Sequence, residues 1–394
     1  DAKVIGYFEI CNIFAKKILR MDKIIGLGNA LVDVLATLKD DTLLDEMGLP
    51  KGSMQLIDDA KLQQINTKFS QMKTHLATGG SAGNAILGLA CLGAGTGFIG
   101  KVGNDHYGDF FRKNLQNNNI EDNLLTSEQL PSGVASTFIS QDGERTFGTY
   151  LGAAASLKAE DLTLEMFKGY AYLFIEGYLV QDHEMILHAI ELAKEAGLQI
   201  CLDMASYNIV ENDLEFFSLL INKYVDIVFS NEEEAKAFTG EEPEEALRVI
   251  AKKCSIAIVK VGANGSYIRK GTEEIKVSAI PVEKVLDTTG AGDAFFAGTV
   301  IGRAYGKTMA EACGIGSRLA ASVICTAENV CPRFRPQEFG LDVPVVDCSL
   351  PRRILLVLAG TLALPALAVG QYLHDYCHTD RGTGPEQKPF LLPL

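Results

Sequence analysis

Short apolar runs alternate with amphipathic stretches from Met21 to about Ala327. The runs that predict buried strands lie at residues 96–103, 171–177, 198–203, 226–230 and 255–262. Between them, apolar residues at helical spacing predict helices at residues 183–197, 212–223 and 244–253. Strands separated by helices of this length predict an α/β fold, with a mostly parallel sheet covered by helices on both faces. In such sheets ligands bind at the carboxyl ends of the strands.

A second group of strands breaks this rhythm. Residues 134–152, VASTFISQDGERTFGTYLG, contain two alternating runs joined through Asp142-Gly143, which is a strong hairpin signal. We expect residues 31–38 and 53–58 to pair with this hairpin. The pattern therefore predicts a small antiparallel sheet, with strands within about 31–57 and 134–151, that forms a lid over the strand ends.

Charge and cysteine content narrow the class of protein. The 394 residues include 36 Lys and Arg against 50 Asp and Glu, a net charge of −14, and no basic cluster that would attract nucleic acid. Nine scattered cysteines without a Cys-x-x-Cys pair favour reduced thiols and a cytoplasmic location. His374, Cys377 and His378 in HDYCH form only a weak zinc signal.

The two ends of the chain differ from the core, which we predict for residues 21–341. Residues 1–20 are interpreted as an extension: an added helix, a targeting segment or a translated leader. A secretory signal is not expected there, because Asp1 and Glu9 are charged and no small-residue cleavage site follows.

Residues 342–394 form an atypical tail whose apolar segment, 354–370, runs seventeen residues without a charge. A bilayer span needs ~17–25 residues, so this segment has the minimum length. Three interpretations stay open: a membrane anchor, with Arg352 and Arg353 keeping the core on the cytoplasmic side, a helix packed on the core, or a foreign tail.

Three glycine-rich stretches are candidates for a phosphate site. GTGFIG at 95–100 matches G-x-G-x-x-G, but it leaves a helical stretch and enters a strand, the reverse of a dinucleotide fingerprint. No P-loop string occurs. ATGGSAGN at 77–84 is predicted to open a helix, and its glycines allow close approach of a ligand.

The third stretch, DTTGAGDAFFAG at 287–298, places an acid at a predicted helix start. Gly290, Ala291 and Gly292 can direct backbone N–H groups toward an anion. Asp293 would face the same point, where a carboxylate is useful if it accepts a proton during reaction. The alternative is a first-turn acid that only stabilises the helix end.

TGGSAGN and DTTGAGD, about 200 residues apart in this order, resemble the motifs of the ribokinase-like carbohydrate kinases of the PfkB type, which include adenosine kinases. The resemblance covers Met21 to Ala327 and excludes the tail. It implies a ribokinase-like three-layer sandwich with a small β-sheet lid. It also implies ATP-dependent phosphorylation of a hydroxymethyl group on a sugar or nucleoside, with Mg²⁺, by a monomer or homodimer.

The resemblance also assigns roles to residues of the phosphoryl-transfer site. Asp293 is similar to the family's general base, and Gly290, Ala291 and Gly292 to its anion hole. The positions that resemble acceptor-binding residues are Asn29, Asp33, Gly80, Asn84 and Arg145. Asp33 lies in an apolar run, where a carboxylate needs hydrogen-bond donors; the alternative is a hydrated edge residue. Arg145, on the lid, would reach the substrate or the transferred phosphate, and otherwise is a solvated hairpin arginine.

Two further motifs point to the nucleotide. Asn231 and Glu234 match the family's Asn-x-x-Glu motif, associated with magnesium, and their spacing is also that of a helix capping box. We expect water-mediated metal binding there. Gly262 and Gly265 in KVGANGS resemble the turn beside the nucleotide, with a plain strand connection as the alternative.

Two other functions stay open at this point. One is a catalytically silent sugar- or nucleotide-binding protein on the same fold, which the pairing of Asp293 with an intact Gly-Ala-Gly segment argues against. The other is a membrane-tethered interaction protein, which only the apolar tail supports. The identity of the acceptor is undecided.

Overall fold

The computed structural model describes residues 22–325 together with Phe339 and Leu341. The strands are β1 (Ile24–Leu27), β2 (Leu31–Thr37), β3 (Met54–Leu56), β4 (Thr74–Gly79), β5 (Thr96–Gly103), β6 (Ile120–Ser127), β7 (Gly133–Ile139), β8 (Arg145–Tyr150), β9 (Tyr172–Glu176), β10 (Gln199–Asp203), β11 (Ile227–Asn231), β12 (Ile256–Lys260), β13 (Ser266–Lys270) and β14 (Glu273–Val277). The α-helices are α1 (Thr42–Met47), α2 (Asp59–Phe69), α3 (Ser81–Cys91), α4 (His106–Asn117), α5 (His183–Glu195), α6 (Tyr207–Asn212), α7 (Leu214–Lys223), α8 (Glu232–Thr239), α9 (Pro243–Ile250), α10 (Ala291–Ala304) and α11 (Met309–Ile324).

Nine strands form the main sheet, in the order β14-β13-β12-β11-β10-β9-β1-β5-β6. The seven strands from β12 to β6 are parallel, and β13 and β14 add an antiparallel edge. All five strands predicted from apolar runs are present, as β5 and β9 to β12. Their residues are buried on both faces, which is why they lack the alternation of half-exposed strands.

Helices cover the main sheet on both faces. One apolar core places Phe174 and Phe229 of the sheet against Phe296 of α10, and Phe98 of the sheet against Phe111 of α4. On the opposite face, Leu173, Ile175 and Val228 belong to a second core with residues of α5, α7, α8 and α9. The predicted α/β sandwich, a mostly parallel sheet between two helical layers, is confirmed.

A second sheet of five strands has the order β3-β8-β7-β2-β4 and is called the smaller sheet below. The predicted hairpin is β7 and β8, and Gly143 in its turn has φ +88°, a value that favours glycine. One of its faces packs Val34 and Phe138 against the helices α1 and α2, and Phe69 of α2 contacts Phe138.

The prediction that this sheet is antiparallel throughout was wrong. β2 pairs with β7 in parallel, and β3 pairs with β8 in parallel. The chain leaves the smaller sheet after β4 and passes through α3, β5, α4 and β6 before it returns as β7. Strand direction therefore depends on these long connections, which the hairpin signal does not report. The edge strand β4 was also missing from the prediction.

The carboxyl ends of the parallel strands lie together at one edge of the main sheet. β1 lies between β9 and β5. The chain places β5 and β6 on one side of β1, and β9 to β14 on the other side. The polar residues that follow or end the central strands are Asn29, Glu176, Asp203, Asn231 and Lys260. Ligands of open α/β sheets bind at such a switch point.

Several predictions fall outside the described residues: the extension 1–20, the whole tail 342–394 with its apolar segment 354–370, and HDYCH. Within residues 22–325, no helix is long and apolar enough to cross a membrane.

Candidate active site

Asp293 lies in the first turn of α10, where the glycine-rich segment meets the helix. Gly290 precedes the helix in a left-handed conformation, with φ +76°. The Asp293 carboxylate accepts a hydrogen bond of 2.7 Å from the Ser81 hydroxyl and one of 3.3 Å from the Asn84 amide. The two glycine-rich motifs, more than 200 residues apart in sequence, therefore meet at one carboxylate.

The surroundings of Asp293 raise its pKa to about 7. Burial is the main cause, and the negative charge of Asp203 adds to it. The hydrogen bonds from Ser81 and Asn84 and the positive charge of Lys260 act in the opposite direction. A carboxyl group with a pKa near neutrality can take up and release protons at physiological pH.

The start of α10 has the features of an anion site. The first turn of a helix presents backbone N–H groups and the positive end of the helix dipole. A cavity of about 30 Å³ lies between Asn84, Thr289, Gly290 and Asp293. A Cβ atom built on Gly292 would lie 3.2 Å from the Lys260 ammonium. In the segment Gly290, Ala291 and Gly292, the Ala291 methyl group is the only side chain, which leaves room for a phosphoryl group.

A larger cavity of about 640 Å³ opens at the start of α3. Asn29, Gly80, Ser81 and Glu176 form part of its polar wall. Ser81 also donates to Asp293, so it connects the larger cavity with the carboxylate. A group bound in this cavity can therefore present an atom to Asp293.

Of the predicted acceptor residues, Asn29 and Gly80 line the larger cavity, and the Asn84 amide donates a hydrogen bond to Asp293. Gly80 has φ +83°, and any Cβ there would collide with the Asn29 carbonyl oxygen. Asp33 is in the middle of β2, only 6% exposed, with its carboxylate packed against Gly79. It does not line the larger cavity, and as a buried residue it is not the hydrated edge aspartate of the alternative interpretation.

Arg145 is buried, not solvated. Its guanidinium forms an ion pair of 2.7 Å with Asp287, and the two side chains are 6% and 10% exposed. Asp287 also accepts a hydrogen bond from the Thr289 backbone. The first residue of β8 is thereby tied to the segment that leads into Gly290.

Asn231 and Glu234 form the capping box that their spacing predicts. Glu234 accepts bonds of 2.8 Å from both the backbone and the side-chain amide of Asn231, and Asn231 accepts one from the Glu234 backbone. Burial, followed by the charge of Asp203, raises the pKa of Glu234 to about 7. In the described residues no three acidic, His or Cys side chains form a metal-binding group. Asn231 and Glu234 bond directly to each other.

Gly262 and Gly265 border the turn between β12 and β13. Both have positive φ values, +51° and +93°. A Cβ on Gly265 would lie 2.0 Å from the Val277 carbonyl oxygen, whereas one on Gly262 would meet no atom within 4 Å. Gly265 is thus required by packing against β14, and Gly262 leaves an open surface.

Comparison with known proteins decides the family. Residues 52–331 match the pfkB family carbohydrate kinases. The chain belongs to this family.

Relatives within the family include kinases of two acceptor types. An uncharacterized sugar kinase from Archaeoglobus fulgidus is 27% identical over 243 residues, 60% of this chain and 94% of its own. The crystal structure of a probable sugar kinase from Rhizobium etli is 31% identical, with a TM-score of 0.73, covering 82% of this chain and all of its own. That of an adenosine kinase from Sinorhizobium meliloti is 32% identical, with a TM-score of 0.69, covering 78% and 94%.

These findings make the protein an ATP-dependent kinase of the sugar and nucleoside type, with the ribokinase-like fold. PfkB membership implies ATP as the phosphate donor and typically Mg²⁺.

The site of this PfkB kinase includes residues that the motifs did not single out. Glu176, 1% exposed at the end of β9, accepts bonds from the Asn29 backbone and side chain and from the Ala82 backbone. Burial, opposed by these bonds, raises its pKa. Its position at the end of a buried strand was the available signal, since Glu176 ends β9 as Asn231 ends β11.

Lys260 and Asp203 were also missed. Lys260 ends β12, and its ammonium donates a hydrogen bond of 2.9 Å to Asp203 at the end of β10. KVGANGS drew attention to its glycines, although its first residue is a cation at the carboxyl edge of the sheet.

Proposed function

We propose that this kinase transfers a phosphoryl group to the hydroxymethyl group of a nucleoside, with Asp293 as the general base. The observation that carries the proposal is the hydrogen bond between Ser81, in the wall of the 640 Å³ cavity, and Asp293, at the start of α10. It connects a cavity for an acceptor to a carboxylate beside an anion site.

Phosphoryl transfer depends mainly on positioning and on stabilising charge that spreads over the transferred oxygens. Gly290, Ala291 and Gly292 would bind those oxygens through backbone N–H groups. Bound ATP supplies the phosphoryl group. Asp293 would accept the proton of the acceptor hydroxyl as the hydroxyl oxygen bonds to the γ-phosphorus; the bond from that phosphorus to the β–γ bridging oxygen would break, and ADP would leave. A pKa of about 7 suits this task, because the carboxylate is ionised near neutrality yet basic enough to hold the proton.

The cavity lining favours a nucleoside. Its apolar side chains include Leu31, Leu151, Leu157, Leu179, Met185 and Ile209. The faces of a purine or pyrimidine ring are apolar, while its edges need a few polar partners. His183, Asn208 and Gln181 in the same wall could supply those partners.

A sugar acceptor is the second candidate, supported by the sugar kinases among the relatives. Asn29, Glu176 and Ser81 would then bind hydroxyl groups at the polar end of the cavity. A bound sugar would leave the apolar end of the cavity in contact with water, which is unfavourable and counts against a sugar acceptor.

The remaining roles rest on family resemblance. Asn29, Gly80, Asn84 and Asp33 would position the acceptor. Arg145, held beside the glycine-rich segment by Asp287, would bind the acceptor or the transferred phosphate.

Nucleotide and metal contacts are proposed at the outer strands. Gly262 and Gly265 would border the nucleotide, and the open surface at Gly262 supports this. Asn231 and Glu234 would act on Mg²⁺ through water, since they bond to each other directly.

The test is ADP release with ATP and Mg²⁺ against adenosine, inosine, guanosine, ribose and fructose-type sugars. We expect turnover with at least one nucleoside and little with free sugars. Turnover with sugars alone would replace the nucleoside by the second candidate. No turnover with any acceptor would favour a binding protein without catalysis.

An Ile209→Phe variant sharpens the assignment of the cavity. The larger ring would reduce the space for a base, so the KM for a nucleoside should rise roughly tenfold with a smaller change in kcat. Leu214→Phe is a matched control, because Leu214 is exposed and does not line this cavity. Equal KM values in both variants would mean that the base does not contact Ile209.

A further inference from the structure

Lys260 places a positive charge next to Gly292, in the anion segment formed by Gly290, Ala291 and Gly292. Its side chain is 18% exposed, and its ammonium lies 3.2 Å from the position of a Cβ on Gly292. Asp203 fixes the ammonium through the 2.9 Å bond, and Asp203 is itself held by the Ala205 backbone N–H at 2.9 Å. The cation is therefore oriented before any ligand binds.

The charges that face Lys260 are carboxylates. Burial lowers the pKa of Lys260, but Asp203, Glu234 and Asp293 together outweigh this effect and raise it. The ammonium is therefore protonated near neutral pH. A triphosphate that approaches these three carboxylates meets repulsion, which a neighbouring cation reduces.

An ammonium can serve two acceptors at once. It carries three N–H donors, so a bond to Asp203 leaves it able to donate to a phosphate oxygen. A phosphate oxygen bound to the Gly292 backbone N–H would lie ~3 Å from that nitrogen. Lys260 and this oxygen would then be within a few ångström of each other, without movement of the backbone.

We propose that Lys260 is a phosphate-binding residue of this kinase, which contacts the phosphoryl group held by Gly290, Ala291 and Gly292, and that Asp203 positions it. This inference rests on the proposed function, and it adds the Lys260 ammonium to the backbone N–H groups of Gly290, Ala291 and Gly292.

The experiment measures binding rather than turnover. Isothermal titration of the full chain with Mg·ATP and with inorganic tripolyphosphate gives Kd values for wild type, Lys260→Met and Lys260→Arg. Loss of a charge-assisted bond should weaken both probes roughly 10- to 100-fold in Lys260→Met, with a smaller loss in Lys260→Arg. Lys101→Met is the matched control, since Lys101 has a similar exposure of 15% and pairs with Asp161 at 2.7 Å.

A double variant separates phosphate binding from a purely structural ion pair. Lys260→Met/Asp203→Asn removes both members of the ion pair, so neither charge of the pair is left without its partner, and this variant should fold even if Lys260→Met does not. If Lys260 binds phosphate, the double variant stays weak for both probes. Wild-type affinity in Lys260→Met or in the double variant would overturn the proposal.

The outcome is independent of the acceptor. A wild type that binds ATP but turns over no acceptor would count against the proposed function, while the Kd comparison would still decide the role of Lys260.

Discussion

At Asp293, burial and hydrogen bonding act on one carboxyl group in opposite directions. Burial favours the protonated form, and the bonds from Ser81 and Asn84 favour the ionised form. An acid whose only task is to stabilise a helix end gains most from staying ionised at the surface. The opposed effects at Asp293 instead suit a group that gains and loses a proton.

Asp293→Asn should lower kcat by ~10²–10⁴, because the amide cannot accept the acceptor proton. The elevated pKa means that this carboxyl contributes stability only at low pH, and the contribution is lost as pH rises through about 7. Above pH 7 the melting temperature of the variant should therefore equal or exceed that of wild type.

Asp109→Asn is the matched control for this variant. Asp109 is an exposed first-turn acid of α4 and lies outside the site, so near wild-type kcat is expected. An Asp293→Asn variant that folds and keeps near wild-type turnover would remove the general base from the mechanism.

Ser81→Ala should shift the pH dependence of the kinase. In wild type, kcat/KM should fall about tenfold per pH unit below about 7, as Asp293 becomes protonated. Without the Ser81 bond the pKa of Asp293 rises, so this acid limb should move upward by roughly 0.5–1 pH unit.

Ser322→Ala serves as the comparison, since the Ser322 hydroxyl donates to the Arg318 carbonyl in α11 and Ser322 does not contact Asp293. We expect its pH profile to match wild type. The same midpoint in Ser81→Ala would show that this hydrogen bond does not control the ionisation of Asp293.

Motif spacing predicted the residues whose type is fixed by backbone geometry. Gly80 and Gly290 have positive φ values, and a glycine at such a position is visible in a sequence. Glu176, Asp203 and Lys260 were not predicted. They are ordinary charged residues at strand ends, and their role depends on the neighbouring strands of the sheet, which the sequence does not reveal.

At the scale of elements, one ion pair joins the smaller sheet to the start of α10. Arg145 opens β8, and Asp287 opens the glycine-rich segment. Both side chains are buried, so the strand and the segment cannot separate without breaking the ion pair and leaving each charge without its partner. The position of the anion segment is thus coupled to the smaller sheet.

Arg145→Met should reduce the free energy of unfolding by about 3–5 kcal/mol, because it leaves Asp287 buried without this partner. Asp287→Asn in the same chain should restore a large part of the loss, since the amide carries no charge. Urea unfolding followed by circular dichroism measures both effects.

Lys68→Met is the control for an exposed pair. Lys68 and Glu46 are 43% and 49% exposed, so the change should stay below about 1 kcal/mol. Similar losses in Lys68→Met and Arg145→Met would mean that burial of the Arg145 pair does not matter.

Elements that lie close together in sequence were the ones predicted well. The β7 and β8 hairpin followed from Asp142-Gly143, and α3 from the small residues at 79–83. The parallel pairing of β2 with β7 could not be predicted, because it joins segments about 100 residues apart. Local patterns carry no information on that pairing.

For the whole molecule, the apolar core includes residues that follow α11 in the sequence. Phe339 and Leu341 are buried, 7% and 0% exposed. The Arg318 side chain donates to the Phe339 carbonyl oxygen at 3.0 Å and lies over its ring. Phe339 and Leu341 therefore contribute to the core that contains α11.

Removal of residues 343–394 should leave a folded kinase with near wild-type kcat. Removal of residues 326–394 should lower the melting temperature or prevent folding, because it exposes the apolar surface that Phe339 and Leu341 cover. Thermal unfolding and ADP release compare the two truncations. Insolubility or loss of activity in the shorter deletion would show that the tail belongs to the kinase fold.

The hydrogen bond between Ser81 and Asp293 has a consequence for synthesis of the chain. Its two residues are 212 positions apart, so the acceptor side of the site is translated long before the base. A nascent chain could complete the smaller sheet and the acceptor cavity while it still lacks any means to transfer phosphate. The protein would become active only when α10 and α11 pack onto the sheet. Local unfolding of these two helices would abolish activity and leave the acceptor cavity intact.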